Sequence, residues 1–253
     1  MSSEGETPAA GGDAVCERSC DTTGSSLGRC SAGEPTLACQ TEGMSSPHSP
    51  LAAAVFLPAA AAAVLLFVGS RAPAGGPLFY TATFGSAMVY FMVGAVFGRG
   101  RLRGRPRRGW AEIGRGILIG SVLVAVFLLG ALLVRRVPSL AMPVDGLLEN
   151  SRRGVLWLTA VTTFVNGVGE ELFFRRVVPD HLPVRSQPGR AILSLLLYVV
   201  VTAAMGVPLL AVAAVAVGAA AHWQAARTGG LLAPIALHTV WSQGMLLILP
   251  QLI

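Results

Sequence analysis

Two adjacent carboxylates, Glu170 and Glu171, stand near the end of an apolar run that begins at Val155, and Arg175 follows one helical turn after the second. A charged side chain at bilayer depth is costly unless it faces a partner or a cavity. Neighbouring side chains on a helix diverge by about 100°, so the two carboxylates cannot share one role. Glu171 precedes Arg175 by four residues, the favourable order for an ion pair between successive turns. Glu170 then faces Asn166, one turn back. The expectation is that Arg175 holds Glu171 as a structural charge and that Glu170 acts as a base.

Of the four histidines, His48 and His181 lie outside the apolar runs, whereas His222 and His238 lie inside them. At 1.5 Å of rise per residue, His222 is about 7 Å in from Arg227, His238 about 10 Å in from Leu231, and Glu170 about 7 Å from Arg175. Either histidine alone reads as a satisfied core residue. Three ionisable groups at similar depth on three helices point instead to one shared cavity. Such a set could hydrolyse a peptide bond, which needs a base for water, a donor for the oxyanion and an acid for the leaving amine. A carboxylate in a cavity of low dielectric is suited to take a proton at neutral pH. Neither a GxSxG nor an HExxH motif is present in the apolar runs to compete.

The elements that must position these residues are membrane spans. The chain is 53% hydrophobic and 13% charged, the composition of a membrane protein. Apolar runs cover 51–68, 78–97, 117–134, 155–174, 191–205, 209–226 and 231–253, so the expected fold is all-α, polytopic, with about seven transmembrane helices. The fifth run is short, and Gly206-Val-Pro208 after it is either a tight turn or a kink. Pro179, Pro183 and Pro188 are expected to keep 175–190 from forming one helix. The polar stretch 135–154, with Pro138, Pro143, Asp145 and Glu149, separates the third and fourth runs. Three regions follow: a tail over 1–48, amino-terminal spans and loops over 49–150, and core helices over 151–253.

The tail is rich in Gly, Ser, Thr, Pro and acids without apolar periodicity, a disordered composition. It holds all four cysteines, Cys16, Cys20, Cys30 and Cys39, at spacings poorly matched to a metal site. Met44-Ser-Ser echoes Met1-Ser-Ser and offers a second start. The basic residues are all Arg. With the amino terminus in the cytoplasm, the loops at 99–115, 175–190 and 227–230 carry twelve Arg against five on the other side, which favours that orientation for a multi-pass cell-membrane protein. The dense basic loop reads as a stop-transfer anchor touching anionic lipid and not as a nucleic-acid site.

Glu170-Glu171-Leu-Phe-Phe-Arg175 resembles the EExxxR motif of the CPBP family, also called the type II CAAX prenyl endopeptidase or Abi family of intramembrane proteases. Arg227-Thr-Gly-Gly-Leu-Leu-Ala-Pro-Ile-Ala-Leu-His238 is similar to a second stretch of that family, so the resemblance covers about 155–245. It implies that Glu170 activates water, that His238 assists and helps to form the oxyanion site, and that the substrate is a peptide or membrane protein. The family's FxxxH motif falls here on Tyr198 and Thr202, and its HxxxN motif on His238 and Ser242. Ser242 can still donate to an oxyanion; Thr202 cannot serve as a base, and His222 stands where the family keeps a small residue. His222 is the candidate to take over part of the lost role. No cofactor is certain; Zn2+ is possible, held if at all by Glu170, His222 and His238. The other reading is a non-catalytic membrane scaffold or partner protein with the same fold, which the loss of the middle histidine favours.

Overall fold

The computed structural model describes residues 48–98 and 109–252. The tail cysteines and the arginines of 99–108 therefore lie outside the described residues. Within them the chain forms α1 (His48–Arg71), α2 (Pro77–Phe97), α3 (Gly109–Val134), α4 (Pro138–Arg153), α5 (Leu156–Leu172), α6 (Val178–His181), α7 (Gln187–Ala203), α8 (Pro208–Thr228) and α9 (Leu232–Ile248). A π-helical turn, Phe173–Val177, joins α5 to α6, and a 3-10 turn, Leu249–Gln251, ends α9. No strand occurs among the described residues. The protein is all-α, and α1, α2, α3, α5, α7, α8 and α9 correspond to the seven apolar runs. Among the described residues, four helices are individually long and apolar enough to cross a membrane: α2, α3, α8 and α9 with its 3-10 extension.

The helices depart from the sequence reading in three places. Residues 138–153 form the amphipathic α4 and not merely a polar connection; Pro138 enters at its first turn, where a proline costs no hydrogen bond. Residues 175–190 are less irregular than expected, because the helix after Glu171 continues through the π-helical turn to His181. α7 begins at Gln187, with Pro188 inside its first turn and the Ser186 hydroxyl accepting from the Gly189 N–H as its cap. Arg175 is thus a buried helical residue and not a loop charge. Gly206, at φ +75°, lets α7 turn directly into α8, so 206–208 is a turn and not a kink.

In a bilayer, helices gain little from burying leucine against leucine, and close approach through small residues does more. α3 and α9 run parallel on that principle. A Cβ at Gly116 would lie 2.4 Å from the Ala233 carbonyl oxygen, one at Gly120 2.7 Å from that of Leu237, and one at Gly244 2.7 Å from Val124 Cγ2. α2 approaches α5 likewise: a Cβ at Gly169 would be 3.2 Å from Tyr90 Cβ. At the opposite end, the α1–α2 turn sits on the α4–α5 turn. There Gly75 N–H donates to Asn150 Oδ1 at 3.0 Å, and the Tyr80 hydroxyl accepts from Val155 N–H at 3.1 Å and shares a hydrogen bond with Thr159.

The α3–α9 contact sets where His238 stands, since Gly120 lies against the carbonyl of the residue before it. Gly120→Val should lower stability by about 1–3 kcal/mol through overpacking. Thermal unfolding in detergent checks this, with Gly114→Ala, whose Cβ meets nothing within 4 Å, expected to show no loss.

Candidate functional site

α5 is inside out relative to a soluble helix. Leu156, Trp157, Val161 and Phe164 are exposed, whereas Thr159, Thr162, Asn166, Glu170 and Glu171 are buried. This is what a bilayer demands, because only the protein interior can satisfy polar groups. Glu171 is wholly buried, with its Oε2 3.1 Å from Arg175 Nε. Its Oε1 lies 2.7 Å from His238 Nδ1. A carboxylate paired with Arg only accepts hydrogen bonds, so Nδ1 carries the proton and Nε2 is left facing the cavity. The guanidinium of Arg175 also lies over the Tyr198 ring, 4.5 Å from its centroid.

Glu170 is fixed from the other side. The Asn166 amide donates to its Oε1 at 2.6 Å, and the Ser86 hydroxyl of α2 shares its one proton between Asn166 Oδ1 at 2.7 Å and the Thr83 carbonyl at 2.8 Å. Ser86 thereby orients the amide, and the amide orients the carboxylate. Glu170 Oε2 stands 3.8 Å from His238 Nε2. That is too long for a direct hydrogen bond, and a single water spans it while bonding both groups. Gly167 leaves room for this arrangement, since a Cβ there would already touch the His238 ring at 3.6 Å.

A cavity of about 560 Å³ reaches Glu170 and His238. Its α5 lining stops at Glu170, and its α9 lining begins at His238 and runs to Leu249. It therefore occupies the half of the bundle that ends at α4, and the two residues stand at its closed end. Beyond them Tyr90, Phe173, Phe174 and Tyr198 pack ring to ring, with centroids 4.9 to 5.6 Å apart. The π-helical turn makes this floor by burying Phe173, Phe174 and Arg175 together. The Ser194 hydroxyl donates to the Phe174 carbonyl there.

The remaining predicted residues divide. Thr202 is buried and lines the cavity. Ser242 lines it too, but its hydroxyl donates to the Thr239 carbonyl of its own helix at 3.3 Å. His222 is half-buried on α8, away from the cavity lining, with Nε2 unpartnered; equal depth did not bring it to Glu170. The donor set does not fit Zn2+. Glu171 is engaged by Arg175 and His238, only Glu170 and His238 face each other, and no group of three His, Cys, Asp or Glu able to hold a metal occurs among the described residues. Sequence reasoning missed Ser86, a lone serine in an apolar run, and gave Tyr198, which lines the cavity with Glu170, no role beyond its place in the motif.

The fold and site define an all-α membrane protein with a buried Arg–Glu–His–Glu cluster closing an apolar cavity. Residues 152–243 match the family model described as Type II CAAX prenyl endopeptidase Rce1-like. The match holds every residue of the cluster, leaving out only Ser86 of the supporting chain, and is consistent with the CPBP family indicated by the two motifs. Searches among curated proteins and among solved structures give no match.

Removing one partner of a buried ion pair strands the other. Glu171→Gln should therefore destabilise the protein by about 3–5 kcal/mol, more than Glu170→Gln, as measured by unfolding in detergent. Equal losses for the two would contradict the separate environments described above.

Proposed function

We propose that the protein is an intramembrane endopeptidase in which Glu170 activates water. The observation that carries this reading is the 3.8 Å gap between Glu170 Oε2 and His238 Nε2 at the closed end of the cavity. A water held there is polarised by both groups, and Glu170 takes its proton as the water oxygen attacks the scissile carbonyl carbon. The same proton then passes from Glu170 to the departing amine. His238, oriented by Glu171 and steadied by Arg175, holds the water and stays near the oxyanion. Ser242, after rotation of its hydroxyl away from Thr239, supplies a donor from the same helix. The Rce1-like match over 152–243 supports a peptidase class.

The substrate in this reading is a peptide or membrane protein whose apolar segment fills the cavity. With the amino terminus inside, Glu170 lies toward the cytoplasmic end of α5, and the apolar segment extends from it toward the α4 end. No step needs a metal, for which the residues present do not provide a ligand set.

Comparing the protein termini in membranes from cells expressing the wild-type chain or Glu170→Gln tests the activity. New termini should appear with the wild type and form at least about 100-fold more slowly with the variant, the usual worth of a general base. Identical profiles would favour the non-catalytic scaffold reading. Orientation is tested separately in a background with Cys16, Cys20, Cys30 and Cys39 replaced by Ser. A cysteine at position 105 should be labelled only from the cytoplasm, and one at position 137 only from the opposite side.

A further inference from the structure

The peptidase reading leaves the developing oxyanion short of donors. The Asn166 amide is occupied by Glu170, and the Ser242 hydroxyl points into its own helix. The indole N–H of Trp241 is buried and unpartnered against the packing of α3. Tyr198 is different. It lines the cavity together with Glu170, Thr202 and His238. Its ring cannot wander: Arg175 lies on its face at 4.5 Å, Phe174 packs at 5.0 Å, and the His238 ring meets it edge-on at 6.5 Å. On the α8 side, even a Cβ at Gly218 would come within 3.0 Å of Tyr198 Cδ1. A ring held by these contacts leaves its hydroxyl, the one part of the residue that still rotates, at the cavity that Glu170 also lines.

We propose that Tyr198 is a further catalytic residue, a hydrogen-bond donor that serves Glu170 before attack and the substrate oxyanion after it. This rests on the peptidase reading. In the resting site the phenol O–H donates to the Glu170 carboxylate. When water attacks, its oxygen bonds to the carbonyl carbon, the carbonyl π pair moves onto oxygen, and the water proton moves to Glu170. A protonated Glu170 is a poorer acceptor, so the Tyr198 O–H turns to the new oxyanion. Collapse of the intermediate re-forms the carbonyl, breaks the C–N bond and returns the proton from Glu170 to the amine. Tyr198 keeps its own proton throughout, and Arg175 on its ring face adds positive charge behind the donor.

The test is Tyr198→Phe in the full-length protein, which removes one oxygen and keeps the ring under Arg175. Assayed on a peptide recovered from the termini comparison, kcat should fall about 100-fold, the scale for losing one oxyanion donor, with KM within about twofold and the thermal unfolding midpoint unchanged. The infrared carboxyl band assigned to Glu170 by its loss in Glu170→Gln should also shift in Tyr198→Phe. An unchanged kcat, or a loss confined to KM, overturns the catalytic role. A Glu170 band that does not move overturns the hydrogen bond itself. If the wild type yields no Glu170-dependent cleavage, the peptidase reading fails and the catalytic role of Tyr198 falls with it, whereas the band still decides whether the two side chains touch.

Discussion

The charge of Arg175, buried beside Glu171 with no water to dilute it, is the constraint from which the site follows. An isolated ion in that position would not be tolerated, so the pair must form, and it must form in one geometry. Once it does, one oxygen of Glu171 is taken and the other can only accept from His238. The imidazole is then left with a single orientation, in which Nε2 is the nitrogen that faces the cavity. Three residues on three segments, α5, the π-helical turn and α9, become one unit. Glu170, next in sequence but on another face, escapes the pairing and is reached by a separate chain from Ser86 through Asn166.

Two kinds of information were available from the sequence, and they fared differently. Local spacing carried the parts of the cluster that lie on one helix: Asn166 with Glu170, and Glu171 with Arg175, are each four residues apart and meet as that spacing requires. Hydrophobic length carried the count of apolar helices. Depth along a span, however, fixes height and says nothing of azimuth. His222 and His238 were placed at comparable heights, yet of the two only His238 comes within 4 Å of the carboxylates, where the α3 glycines packed against α9, which have no motif of their own, help to place it. The same limit hides Ser86, whose side chain looks like incidental polarity in an apolar run. The π-helical turn and the amphipathic α4 were not legible at all; the first depends on how Phe173 and Phe174 pack, and the second is masked by two prolines and a polar composition.

The small residues are as much a part of the site as the charged ones. Gly167 gives the His238 ring its space, Gly169 lets Tyr90 approach α5, and Gly218 lets Tyr198 fit under Arg175. Each is a place where the lack of a side chain lets a ring from a neighbouring helix pack close. A bilayer provides no pressure to squeeze helices together, so proximity of this kind has to be written into the surfaces themselves.

The aromatic floor has a consequence of another sort. A membrane protein that keeps carboxylates in contact with water runs the risk of becoming a wire for protons, and a cell that depends on its proton gradient would be harmed by one. Tyr90, Phe173 and Phe174 form an apolar layer beyond Glu170, with the Tyr90 hydroxyl buried and unpartnered and so offering no onward hydrogen bond. Packing of this kind is what would keep water that reaches the carboxylate from the α4 half from running on through the bundle.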